Sequence, residues 1–148
     1  QAQLTFKLHG FQYGPAKRYL KASKTYFADN SILSSLNVDV AFGQRIENFV
    51  ISELEKRRKL GFLPVDTFYF YKSAAGQEID LIFEMESCLY ACEIKATERP
   101  GPKDFRNLRN FKDRLKRPLK RFLFYLGDEY KQKDDITLIP IATLFRGR

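Results

Sequence analysis

The sequence predicts an α/β fold, with core elements in the order helix, strand, strand, strand, helix, strand. Three observations carry this. The stretches 43–60 and 103–117 repeat apolar residues at helical spacing. Between them, the runs 65–71, 79–83 and 89–94 are short, apolar and rich in β-branched or aromatic residues. After the second helix, the run 121–126 is continuously apolar past Arg121, which suits a strand covered on both faces. A length of 148 residues fits one domain with one core, and 44% hydrophobic residues, with 14 Phe and 8 Tyr, indicate a folded globule.

In chain order, residues 1–23 read as a leading segment, either a solvated connector or the tail of an upstream module. Leu4, Phe6 and Leu8 alternate as in a short strand, Gly10, Gly14 and Pro15 break any longer element, and Lys17, Arg18, Lys21 and Lys24 form a basic run. The domain proper is expected over 24–148. Residues 24–28 suit a short strand, and Asp29 offers an N-cap to a helix over 31–36. Residues 37–42 form a loop. The helix 43–60 ends at Gly61 as a C-cap. Ile46, Val50, Ile51 and Leu54 share its apolar face with Phe49 at the margin, while Asn48, Ser52, Glu55 and Lys56 take the polar side. Glu47 falls inside the apolar stripe. A carboxylate there needs a partner or a metal, the simpler alternative being a salt-bridged residue at the stripe's edge.

Residues 65–71 form a strand and 72–76 a turn. The runs 79–83 and 89–94 flank a polar break at Glu86-Ser87 and read as a β-hairpin. With its turn centred there, Asp80 lies opposite Glu93, and Lys95 joins Glu93 on the same face. Two carboxylates and an ammonium on an otherwise apolar strand pair are costly unless a cation joins them, and hard oxygen ligands suit Mg²⁺ or Mn²⁺. The alternative is a set of polar residues on the solvated face of the hairpin. Residues 97–102 form a loop. The helix 103–117 has a core stripe of Phe105, Leu108, Phe111 and Leu115, continued by Leu119, and Pro118 ends it. Its basic residues, with Lys103, Arg106 and Arg109 foremost, and Arg99 of the preceding loop either form a solvated face or contact phosphates. A polar loop over 127–135 leads to a last strand over 136–141 and a tail from Thr143.

The net charge of +8 favours an anionic partner, nucleic acid before membrane. The apolar runs are too short to span a bilayer. Cys88 and Cys92 would lie about 13 Å apart on one strand, too far for a disulfide, so they read as small buried hydrophobes in a reducing, cytoplasmic compartment. With His9 the sole histidine, a Cys/His zinc site is not expected. There is no Gly-x-x-x-x-Gly-Lys phosphate loop and no Gly-x-Ser-x-Gly, which excludes P-loop ATP binding and leaves little for Ser/His chemistry.

An acid on the first helix, an aspartate on the second core strand and Glu-x-Lys on the third resemble the PD-(D/E)XK nuclease superfamily. Ile79 stands where its eponymous proline would be. A broader resemblance covers nearly the whole chain, through the runs 24–33 (KTYFADNSIL), 43–54 (GQRIENFVISEL), 76–82 (GQEIDLI), 93–97 (EIKAT) and 139–141 (IPI). This succession is similar to the uncharacterised domain at the C-terminus of many bacterial and archaeal AAA-type ATPases. The resemblance implies a restriction-endonuclease-like, three-layer αβββαβ core, a mixed sheet flanked by helices, with an ATPase module upstream. It implies Asp80, Glu93 and Glu47 as ligands of Mg²⁺ or Mn²⁺, the Ile94 carbonyl as a further oxygen, Lys95 as the catalytic ammonium, and DNA as the nucleic acid. A nuclease-like domain without catalysis, binding DNA or a protein as an accessory to the ATPase, is the alternative it leaves open.

Overall fold

The computed structural model describes residues 3–13 and 22–146. A single mixed sheet of eight strands runs through it, in the order β2-β1-β3-β4-β5-β6-β8-β7. The strands are β1 (Thr5–Gly10), β2 (Ser23–Phe27), β3 (Tyr69–Lys72), β4 (Glu78–Met85), β5 (Cys88–Ile94), β6 (Leu119–Tyr125), β7 (Lys131–Lys133) and β8 (Ile136–Pro140). The helices are α1 (Asn30–Ser35), α2 (Phe42–Lys59) and α3 (Pro102–Asn110). Val50, Ile51 and Leu54 of α2 pack with Leu81, Phe83, Tyr90 and Cys92 on one sheet face. Phe105 and Leu108 of α3 pack with Ile79, Ile82, Leu89 and Ala91 on the other. The middle of the sheet is therefore enclosed between helices, and β5 is buried on both rows along its whole length, while β7 at the edge is exposed.

The leading segment is not a solvated connector where it is described. β1 pairs antiparallel with β2 and parallel with β3, and Leu8 and Phe11 are buried. The rest of that segment, Gly14, Pro15, Lys17, Arg18 and Lys21, lies outside the described residues. α1 begins as its cap dictates, with Asp29 accepting the Ser31 N–H at 2.8 Å. α2 closes in a Schellman turn. Gly61, at φ 79°, donates to Arg58 O and Phe62 donates to Arg57 O at 2.9 Å.

The polar side expected for α2 is partly buried, since Asn48, Ser52 and Glu55 are all shielded. The physical reason is that α2 has neighbours beyond the sheet face. The Asn48 carboxamide accepts the Phe27 N–H at 2.8 Å and donates to Phe27 O, which docks the helix on the edge of β2. Glu55 is held by Arg58. The strand expected over 65–71 starts only at Tyr69, because the Val65 N–H turns back onto Leu63 O at 2.8 Å.

The second helix is also shorter than its periodicity suggests. It stops at Asn110, and Leu115, read as core, is 64% exposed. Asp113 accepts from the backbone N–H groups of Leu115 and Arg117, a local alternative to the helical ladder. Pro118 further biases Arg117 away from the helical region. Within the polar loop, β7 forms a hairpin with β8. Beyond β8, residues Ile141–Leu144 form a 3₁₀ turn pinned by Arg57, which donates to Leu144 O at 3.0 Å.

The β4–β5 turn is of the type that matches strand twist, with Glu86 at φ 52° and Ser87 at φ 62°. Neither residue favours that region. Replacing them together with Asn-Gly is expected to stabilise the fold by about 1 kcal/mol, read as a raised urea midpoint with an unchanged slope.

Candidate active site

The site lies where β4 and β5 part. Register pairs run from Met85↔Cys88 to Leu81↔Cys92, and the ladder ends one residue short of Asp80. On its other side β4 is bulged. Tyr69 faces Ile82 and Tyr71 faces Ile79, so the single residue Phe70 opposes both Asp80 and Leu81. The extra residue explains why Ile79 and Ile82 lie on the α3 face while Leu81 and Phe83 lie on the α2 face. It also re-aims Asp80, whose Oδ2 accepts the Ile94 N–H at 2.8 Å. The carboxylate thus takes the place of a backbone carbonyl between the two strands. The register holds as far as Leu81↔Cys92, and the Asp80 and Glu93 carboxyls still meet, but from the end of the ladder rather than as a ladder pair.

Glu93 continues the Leu89 and Ala91 row on the α3 face of β5. It is 2% exposed. Its Oε2 lies 3.1 Å from Lys95 Nζ, while its buried Oε1 has no hydrogen-bond partner among the described residues. Burial first, then the charge of Asp80, pushes the Glu93 carboxyl up from its ordinary 4.5 to about 8, with Lys95 pulling the other way. Lys95 is itself raised, because Glu93 and Asp80 outweigh the effect of its burial. Its backbone N–H goes to Phe124 O on β6, so the peptide groups of Ile94 turn towards β4 and Asp80.

Glu47 arrives from α2. Tyr26 on β2 donates its hydroxyl to Glu47 Oε1 at 2.7 Å, and Lys24 Nζ stands 4.0 Å from the same oxygen. Burial and then Asp80 raise the Glu47 carboxyl against the pull of Tyr26, Lys24 and Lys95. Burial, followed by Glu47 and Asp80, raises the Tyr26 hydroxyl and keeps it a donor. Asp80 is therefore the common neighbour, and its charge acts on Glu47, Glu93 and Tyr26 alike. Sequence reasoning did not find Lys24 or Tyr26 as site residues. The one available signal was their alternation on a short strand within the run 24–33.

Of the basic residues named from sequence, Arg99, Lys103 and Arg106 are exposed, on the loop after β5 and on α3. Arg109 is engaged, 2.7 Å from Asp134 and over the Phe105 ring. Cys88 and Cys92 are buried free thiols. No helix of the described residues is long and apolar enough to cross a membrane.

Among the described residues, no three His, Cys, Asp or Glu side chains are gathered closely enough to hold a metal together. What fits a cation is narrower: the Asp80 and Glu93 carboxylates, the unpartnered Glu93 Oε1, and the Ile94 peptide beside them. Mg²⁺ uses few protein oxygens and keeps several waters, so Glu47 would reach it only through water.

The raised Glu93 carboxyl has a thermodynamic consequence. Between about pH 4.5 and 8, the metal-free folded chain holds a proton that the unfolded chain has lost. Stability from this group is full below 4.5 and is lost as pH rises through that window. Urea melts in chelator should show this decline, and Glu93→Gln should flatten it.

Fold and site together define an α/β protein whose mixed sheet opens around a carboxylate–ammonium cluster centred on the buried Glu93. The chain belongs to the family described as a domain of unknown function (DUF4143), whose model matches residues 42–144. That span holds Glu47, Asp80, Glu93 and Lys95, while Lys24 and Tyr26 precede it. No curated protein matches the chain.

Proposed function

We propose that this domain is a nuclease of restriction-endonuclease-like, PD-(D/E)XK type, hydrolysing phosphodiester bonds of DNA with Mg²⁺ or Mn²⁺. The observation that carries the reading is Glu93, a buried carboxylate with one orphaned oxygen, set against Asp80 and bonded to Lys95. Burying the Glu93 carboxyl beside the Asp80 carboxylate costs stability that an apolar residue would not, a cost that a bound cation would offset. The order of α2, β3, β4, β5, α3 and β6 agrees with the expected αβββαβ core.

Asp80, Glu93 and the Ile94 carbonyl would hold the ion. When bound, the ion supplies a lowered pKa to an attacking water and positive charge to the scissile phosphate. Lys95 stabilises the negative charge that builds on the phosphate in the transition state. Glu47, fixed by Tyr26, orients a water from the α2 side. Arg99, Lys103 and Arg106 hold the nucleic-acid backbone, and Arg109 contributes only if it leaves Asp134.

A second reading is a nuclease-like domain that binds DNA without cutting it, as an accessory to an ATPase module. It is favoured by the absence of a three-ligand acidic group among the described residues and by the Lys95–Glu93 ion pair. Cleavage of supercoiled and linear DNA, with Mg²⁺, Mn²⁺ or chelator, separates the two. Metal-dependent cleavage supports the nuclease. Binding that needs no metal and weakens steeply with salt, without cleavage, supports the accessory.

A further inference from the structure

A groove of about 380 Å³ runs between β2 and the α1–α2 segment, and Glu47 forms part of its wall. That volume falls in the range of about 300–1,000 Å³ used by small-ligand sites. Leu33 and Val40 give it apolar surface, and Lys24 stands beside Glu47. Its other wall is the outer edge of β2. The Ala28 N–H donates to Leu4 O, so alternate residues of this edge strand, including Lys24 and Tyr26, turn their peptide groups to β1. Thr25 and Phe27 turn theirs outward. At Phe27 the outward N–H and C=O are taken by the Asn48 carboxamide, at 2.8 and 3.1 Å. Two residues back, Thr25 presents the same donor–acceptor pair to the groove, and no described residue bonds to it.

A nucleobase edge carries a donor and an acceptor side by side, as a carboxamide does. We propose that this groove is the subsite for one unpaired nucleobase of the substrate strand, read by the Thr25 peptide as Asn48 is read by Phe27, with Lys24 contacting its phosphate. The inference rests on the nuclease reading of the adjoining carboxylates and narrows the substrate to single-stranded or locally unpaired DNA. An added peptide strand would use the same edge, but Asn48 already blocks the row at Phe27 and Lys24 favours an anion.

The test is binding of each of the four deoxynucleoside monophosphates, in chelator, followed through the backbone amide resonances. Wild type is expected to shift the Thr25 amide in a saturable way. Thr25→Ala, which keeps the N–H, should bind equally. Thr25→Pro removes only an outward donor on an edge strand, where proline is tolerated, and should bind about tenfold more weakly. If Thr25→Pro does not fold, Gln44→Trp, which fills the groove, should abolish binding. Saturable mononucleotide binding lost in these variants supports the subsite whether or not the domain cuts DNA. Metal-dependent cleavage without any mononucleotide shift at Thr25, or a shift there only with an extended peptide, overturns the subsite and leaves the nuclease reading standing.

Discussion

Asp80→Asn is expected to lower Mg²⁺-dependent cleavage of DNA by at least about 10²–10³-fold while raising the melting temperature of the metal-free protein. The two effects share one cause. The asparagine oxygen can still accept the Ile94 N–H, so the junction of β4 and β5 survives. The negative charge that opposes Glu93 and Glu47 disappears, and with it the reason both carboxyls are raised beyond what burial alone does. The proposed ion would lose a ligand at the same stroke. Wild type should gain thermal stability on adding Mg²⁺ or Mn²⁺, and Asp80→Asn should not. Lys95→Ala is expected to cut cleavage by a similar factor yet retain metal-induced stabilisation, because it removes no ligand. Equal cleavage by wild type and both variants would show the activity to be a contaminant.

The largest loss of stability is expected at Asp113→Ala, about 3 kcal/mol, or a fall of roughly 6–12 °C in melting temperature. The Asp113 side chain is 2% exposed. It accepts Arg117 Nε at 2.7 Å, Arg117 Nη2 at 3.0 Å, and the N–H groups of Leu115 and Arg117. Removing it strands four donors and leaves Arg117 only Glu84, at 2.6 Å, and the Phe11 ring beneath it. The loop that delivers Pro118 to the start of β6 then loses its centre. The hydrogen bonds from Arg117 hold the Asp113 carboxyl well below its ordinary 3.8. Its contribution is therefore full above that value and lost progressively as pH falls below it towards the depressed folded value, which makes acid unfolding the second readout. Lys116→Gly, at a residue with φ 54°, is the contrasting variant and should leave the loop intact.

The parts of the fold legible in the sequence are those set by near neighbours. The hairpin register follows from the polar break at Glu86-Ser87, and Asp29 starts α1 through a bond two residues away. The parts that were not legible depend on competition or distance. Phe111 and Leu115 keep helical spacing, yet Asp113 offers the backbone a better local bargain and α3 ends. Asn48 reads as solvated because its partner, the edge of β2, lies 21 residues back. Tyr26 shares a site with Glu47 for the same reason. The bulge at Asp80 carries no glycine or proline to announce it, so Asp80 could be assigned to the hairpin but not to the gap between strands.

The bulge on β4 sets the phase of everything around it. One surplus residue lets the strand keep both hydrophobic rows in step on either side while a charged group is diverted out of the alternation. Deleting that residue would restore an unbroken rhythm and a tidier sheet, and would also return Asp80 to one face or the other. The domain thus keeps a small, permanent irregularity at the spot where a perfectly regular strand would hold no carboxylate between its neighbours.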